Sequence, residues 1–407
     1  MKRPGIIWFL YKFFIFFALL ISFRAWFTWG IPTRYLGIMV IAVGSIVFLI
    51  KNEWFTLKVD LFWFTLFTLV FIFGYLTYGI REIVVNVIKV ISFLFIYLLK
   101  SEYQNDLLKT IKNYLSILLG VSVIGWILLL IGISTPYTLV TMGEDSMGED
   151  LYIFENHYLY LVNVSNIINM FVRRFCSVFL EPGYLGCLCS FFLFIDKYRL
   201  NINNIILSFS LILSFSLAGY LLTGMGMLYY YTRRSGSIKG IVLSVVFLFC
   251  FYSFFSNYNK GNNVVNELIL ARTEYDEAEG MISGYNRSQE DDDYWFWNTF
   301  TKSDDLFLGT NKPVLGDNNV DWKAYIVTHG LISFFFFILF LAYPITNKTN
   351  HKDCIALSIL YFLIFAQTIS MGLSMMYCTV YFLGINRLRT DDAVSNTTGC
   401  HNAFACS

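Results

Sequence analysis

Charge is scarce in this sequence. Aspartate, glutamate, lysine and arginine together make up 14% of its 407 residues, where an ordinary soluble domain carries about a quarter. Histidine is scarcer still. The four copies, at 157, 329, 351 and 401, are dispersed, and no HExxH occurs. The eight cysteines show no CxxC spacing, so neither a zinc protease nor any other metal centre is expected. Most of the cysteines fall in or beside apolar blocks, where the thiol acts as a small hydrophobe, and Cys187 and Cys189 are too close for an ordinary disulfide. GxxxxGK[ST] is missing, as is GxGxxG after a strand, which argues against an ATP-driven pump or a nucleotide-sugar enzyme. No cofactor is expected. Short strands of alternating polarity, the mark of a membrane barrel, are not evident. The formal net charge of +1 is uninformative in total, and nucleic acid is not expected as a partner.

Apolar residues are abundant instead, at 57% of the chain, with 42 phenylalanines and 27 tyrosines gathered into long blocks. The blocks fall at roughly 6–23, 35–50, 60–79, 83–99, 114–133, 184–198, 204–231, 240–255, 325–343 and 354–385. Runs of 18 or so apolar residues read as transmembrane helices, so the fold class expected is an all-α polytopic membrane protein. The start, "MKRPGIIWFLYKFFIFFALLISF", has a basic flank and no small-residue cleavage site, and reads as a retained first span. Lys2 and Arg3 place the N-terminus inside by the positive-inside rule. Four spans later "KSEYQNDLLKTIKN" is inside, and after the fifth span residues 134–183 are outside; the loop with Arg24 and Arg34 runs against the rule.

Two blocks are too long for one span. A 28-residue helix over 204–231 would be about 42 Å long against a hydrocarbon core of about 30 Å. The stretch "SFSLAGYLLTGMGM", with Gly219, Gly224 and Gly226, suggests a break there, and "TRRSGSIKG" then returns to the basic, inner side. The block 354–385 is interrupted near "SMGLSMM" in the same way. The expected architecture has about 12 transmembrane helices and two large extracytoplasmic loops. Its segments are 1–133 (about five spans), 134–183 (first large loop), 184–255 (central helices), 256–324 (second large loop), 325–386 (C-terminal helices) and 387–407 (inner tail).

The two polar interruptions hold the candidate chemistry. In "RRFCSVFLEPGYLG", Arg173 and Arg174 lead and Glu181 and Pro182 open the sixth span. Proline suits a first helical turn, and a carboxylate at the N-cap gains from the helix dipole. An interfacial salt bridge plus cap is the plain reading of Arg174 and Glu181; phosphate binding by the guanidinium fork is the sharper one. The second interruption holds Arg287 and the aromatic residues Tyr294, Trp295 and Trp297, placed either to pack at the membrane interface or to stack on sugar rings. Asp321, Lys323 and His329 lie on its approach to the next span. His329, beside Gly330, is weighted as a packed histidine rather than a base.

In their order, "RRFCSVFLEPGYLG", "LSFSLAGYLL" (213–222) and "LGTNKPVLGDNNVDWKAYIVTHGLIS" (308–333) resemble segments of the Wzy-type O-antigen and capsule repeat-unit polymerases, and more distantly of the O-antigen ligases. The resemblance covers roughly residues 170–340. It implies a GT-C-like multi-pass enzyme of the bacterial inner membrane. Such an enzyme polymerises oligosaccharide repeat units carried on undecaprenyl diphosphate, by inverting transfer without metal. A flippase and a chain-length regulator would be its partners. Carried over, the catalytic arginines are Arg174, with or without Arg173, and Arg287. The acceptor hydroxyl of such a reaction needs a base, for which Glu181 and then Asp321 are the candidates. Arg173, Lys323, His329, Trp295, Trp297 and Tyr220 would bind substrate. The segment "GDNNVDW" lacks the histidine usual in ligases, which favours polymerase. A ligase, a flippase or other transporter, and an inactive structural membrane protein remain the alternatives.

Overall fold

The computed structural model describes residues 5–29, 33–56, 60–133, 135–144, 150–164, 174–235, 242, 253, 254, 256–261, 263, 265, 266, 270, 275, 276, 281, 282, 290–310, 322–346, 351–367 and 373–403. The described chain is mostly helical. Among the described residues, three helical stretches are long and apolar enough to cross a membrane: Leu61–Tyr78, Ser101–Leu130 and Trp322–Pro344. Shorter apolar helices cover Ile6–Ser22, Leu36–Ile50, Pro182–Ile195 and Ile202–Leu213. Most of the apolar block at 240–255 lies outside the described residues.

The chain forms two compact units. One comprises Met1–Phe23, Gly30–Ile111 and Arg287–Ser407; the other comprises Arg24–Trp29 and Lys112–Asn286.

The first unit contains α1 (Ile6–Ser22), α2 (Thr33–Ile50), α3 (Leu61–Gly74), α4 (Ile80–Tyr97) and the start of α5 (Ser101–Leu130). Within the second polar interruption lies α9 (Glu290–Asn298), and from its end onward come α10 (Trp322–Thr346), α11 (His351–Gln367) and α12 (Met375–Ala403). Asp60 starts α3 by accepting the Trp63 backbone N–H at 3.2 Å, which satisfies one of the donors that a helix N-terminus leaves open. Trp63 is fully buried and stacks on Phe340 of α10 at 5.5 Å, and its indole N–H donates to the Phe340 carbonyl at 2.9 Å. On α1, Lys12 and the Trp8 indole both donate to one oxygen of Asp106, each at 2.7 Å. The expected hairpin over 354–385 is two helices, α11 and α12. The tail expected at 387–407 is helix as far as Ala403, because a helix already nucleated in the apolar segment extends at little cost.

The second unit contains the rest of α5, then α6 (Pro182–Ile195), α7 (Ile202–Leu213) and α8 (Leu217–Ser235). The first polar interruption corrects the all-helical expectation. It folds into an antiparallel sheet of β1 (Thr138–Glu144), β2 (Asp150–Asn156) and β3 (Leu161–Asn163), in that order. Thr138 pairs with Asn156, and Phe154 with Asn163. Phe154, Leu161, Cys176 and Leu180 make a small core under the sheet, with Trp26, Trp29, Val140 and Met142 packed against it. A second, two-stranded pairing joins β4 (Tyr275–Asp276) to β5 (Met281–Ile282).

The block 204–231 is two helices, but the break falls at Ser214–Ser216 rather than at the glycines. Gly219 and Gly224 lie within α8, and Gly219 has a packing role. A Cβ there would come 2.8 Å from the backbone of Gly186 on α6. The Ser190 hydroxyl sits 2.8 Å from the carbonyls of both Gly186 and Gly219, and Thr223 donates to Ser190. Small residues thus let the two backbones touch, the usual device for joining helices where lipid offers no hydrophobic drive.

Candidate functional site

In the second unit, residues 174–181 form a buried strap leading into α6. Phe175 through Leu180 are all buried. The strap is held by its backbone: Leu161 N–H donates to Ser177 O at 2.7 Å, and Trp26 N–H donates to Val178 O at 3.0 Å. Ser177 takes a positive φ of 55°, which turns its hydroxyl onto Ser122 of α5 at 2.8 Å. A non-glycine residue in that region is strained and persists only where its surroundings hold it.

Arg174 and Tyr220 are brought to one place, the corner between α7 and α8. A helix C-terminus leaves its last carbonyls without partners. Here Tyr220 OH donates to Ile212 O at 2.5 Å, Phe175 N–H to Leu213 O at 3.0 Å, and Arg174 Nε to Ser214 O at 3.1 Å. A cation at this end of a helix also opposes the negative pole of its dipole.

Beside Arg174, burial pushes the Cys176 thiol up to about 12, against a weaker downward pull from the guanidinium. With its folded pKa raised, the thiol stays protonated until the pH approaches that value. Thiolate is the reactive form, so alkylation of Cys176 by iodoacetamide at pH 8 is expected at less than about one-hundredth of the rate for an exposed cysteine. Peptide mapping by mass spectrometry checks this; rapid labelling in folded protein would show the strap to be open.

Glu181 stands at the N-cap of α6 in an extended conformation (φ −131°, ψ 139°), with Pro182 in the first turn as expected. Its side chain makes no capping hydrogen bond, so the capping half of the plain reading is corrected. Pro182 removes one N–H from that turn, leaving fewer donors for a cap to satisfy.

The other candidates belong to the first unit. Trp295 packs on Phe300 at 5.5 Å, against a buried cluster of Phe296, Phe300, Ile326 and Val327. Trp297 lies 6.3 Å from Trp322 and is 56% exposed, so it is the one of the pair with a ring face to offer. Lys323 and His329 are both buried on α10. That helix is interrupted at Gly330 (φ 80°, ψ 159°), and the segment 307–310 pairs with the break. Thr310 N–H donates to Val327 O at 2.8 Å, and Ile332 N–H donates to Phe307 O at 3.2 Å. A broken helix at membrane depth needs its backbone groups satisfied by protein in this way.

His329 Nδ1 lies 2.7 Å from the Gly74 carbonyl. A carbonyl only accepts, so the hydrogen is on Nδ1, and in the neutral ring Nε2 carries the lone pair. Tyr325 and Tyr75 flank the ring at 4.7 and 4.8 Å. Ser333 ties the same helix to Val70 O at 2.8 Å. The ring is thus held at Nδ1 and flanked by tyrosines, with Nε2 as its remaining acceptor.

Arg173, Arg287 and Asp321 lie outside the described residues. Sequence reasoning missed Asn86 and Lys89, because they sit inside the apolar block 83–99 and belong to no motif. Comparison with known proteins finds no matching family model, no matching curated protein and no matching solved structure.

Proposed function

We propose that this chain is a polymerase of lipid-linked oligosaccharide repeat units in the bacterial inner membrane, spanning it about 12 times. The donor glycan is carried on undecaprenyl diphosphate and the acceptor is the next repeat unit. The observation that supports this reading best is the setting of Arg174. Its guanidinium is fixed by Ser214 O at a helix corner, on a buried strap that ends in a carboxylate, Glu181, at the start of α6.

In the proposed reaction an acceptor hydroxyl oxygen attacks the anomeric carbon of the donor sugar. The bond from that carbon to the diphosphate oxygen breaks, and its electron pair leaves with the diphosphate. Glu181, or Asp321, takes the hydroxyl proton. Arg174 and Arg287 oppose the charge that develops on the leaving group, an interaction strongest in the transition state and so one that speeds the chemical step. Attack opposite the leaving group inverts the anomeric centre. Trp297 offers a ring face for a sugar.

A strain deleted for this chain tests the reading. Its surface glycan, separated by size, should show single repeat units and no ladder. A full ladder in the deletion strain would end the proposal. Repeat units missing from the surface but accumulating on the inner leaflet would point to transport instead.

A further inference from the structure

Lys89 is a cation in a place where lipid-embedded proteins seldom leave one. It lies nine residues into α4, about 13 Å along the axis at 1.5 Å per residue, within an apolar block where Asn86 and Ser92 are the other polar residues before Tyr97. Its side chain is partly buried. Asn86 and Phe93, three and four residues away on the same side of the helix, are both buried. Among the described residues no carboxylate forms an ion pair with it. Glu82 shares its face of the helix but lies nearly two turns earlier. An ammonium at this depth is costly, and such residues line substrate or ion paths.

Aromatic rings and one unpartnered acceptor surround Lys89. Its Nζ sits 6.0 Å from the centre of the Tyr75 ring, and that ring is 4.8 Å from the His329 ring, with Tyr78 beyond at 6.2 Å. The imidazole turns its hydrogen to Gly74 and keeps an accepting Nε2. Asn86, 1% exposed, donates from Nδ2 to Glu82 O at 2.8 Å, but its Oδ1 has no partner among the described residues. A buried acceptor without a donor costs about 1–3 kcal/mol. The cluster therefore offers one positive charge and two acceptors, one of them on His329, the residue before the break in α10 at Gly330.

From this arrangement we propose that Lys89, Asn86 and His329 form a second substrate subsite, for a sugar phosphate head group. Lys89 binds a phosphate oxygen, and Asn86 Oδ1 and His329 Nε2 accept hydrogen bonds from sugar hydroxyls. The identity of the lipid-linked sugar rests on the polymerase reading above; the anion site does not.

The test uses the full chain in lipid nanodiscs with three probes: undecaprenyl diphosphate, inorganic diphosphate and undecaprenol. Undecaprenyl diphosphate is expected to slow acetylation of Lys89, followed by mass spectrometry, by about fivefold or more, and undecaprenol to leave it unchanged. Lys89→Gln should weaken undecaprenyl diphosphate binding by about tenfold, the scale of one charge-assisted hydrogen bond, while Lys89→Arg keeps most of it. Protection by inorganic diphosphate alone would support the anion site and assign recognition to the phosphates rather than the lipid. Equal binding by wild type and Lys89→Gln, with no protection by either diphosphate, would overturn the subsite. The acetylation measurement needs no variant, so a poorly folded Lys89→Gln chain leaves the question decidable. Loss of binding in a protein whose deletion spares the polymer would leave an anion site without a polymerase. The converse result would leave a polymerase without this site.

Discussion

Cells carrying Arg174→Ala in place of the wild-type chain are expected to display single repeat units and no polymer, with the protein still present in the membrane. Two roles of Arg174 have to be told apart, and their magnitudes differ. As a partner for Ser214 O at the end of α7, the side chain contributes about 0.5–1.5 kcal/mol, a typical net hydrogen bond, with somewhat more from its charge at the helix terminus. Loss of that much lowers stability without emptying the membrane of folded protein. As a stabiliser of the leaving diphosphate, it would be worth about 100-fold to 1,000-fold in rate, the usual cost of removing one preorganised donor from a transition state. Polymer length and the thermal midpoint of the purified chain therefore move very differently under the two roles. Arg174→Lys separates them further, since it keeps the charge and loses the planar fork that matches two phosphate oxygens. A folded Arg174→Ala chain that builds full-length polymer would reduce Arg174 to a helix cap.

Gly330→Ala should be among the most damaging single changes in the first unit. At φ 80° and ψ 159° the residue occupies backbone space that is essentially reserved for glycine, and side chains there cost about 1–3 kcal/mol. A Cβ would also come 2.4 Å from Phe307 O and 2.5 Å from the Leu308 carbonyl carbon. Those neighbours are backbone, held by the bonds that close the break in α10, so they have little room to move. Overpacking adds roughly 1–3 kcal/mol, for a total of about 2–6 kcal/mol. Thermal unfolding in detergent measures it. Gly224→Ala is the control: a Cβ there meets nothing within 4 Å, and alanine favours the interior of α8 by about 0.5–1 kcal/mol. If the two substitutions behave alike, the tight contact at Gly330 is not real.

The helices were the most legible part of the fold. Runs such as "LFWFTLFTLVFIFG" have only one way to satisfy their backbone in lipid, and α3 follows the apolar block closely. The excess length of 204–231 correctly announced two helices, because length is a property of composition alone. The position of the break was harder. The glycines suggested it, but Gly219 serves the contact with Gly186, a partner more than thirty residues away, and the chain turns instead at Ser214–Ser216. The sheet in the first polar interruption was missed for a related reason. Its strands are short and carry acidic residues at their ends, and Val140, Met142, Phe154 and Leu161 face a core supplied in part by Trp26 and Trp29. Local pattern cannot report such a partner.

The candidate site was legible in part. Pro182 opens α6 where the sequence places it, and Arg174 and Tyr220 meet at one corner. That Arg174 reaches a carbonyl forty residues along the chain is a tertiary fact with no local signature. Lys89 leaves little trace in the sequence, because a lone lysine barely lowers the hydropathy of its block.

The strap and the α7–α8 hairpin are fastened to each other at consecutive backbone positions, through Phe175 N–H on Leu213 and the Arg174 side chain on Ser214. Any molecule that draws the guanidinium toward itself competes with the Ser214 carbonyl and loosens the end of α7. Occupancy at the arginine would thus be felt as fraying at a helix tip, so that the grip on a head group and the geometry of the adjoining hairpin are set by a single mechanical joint.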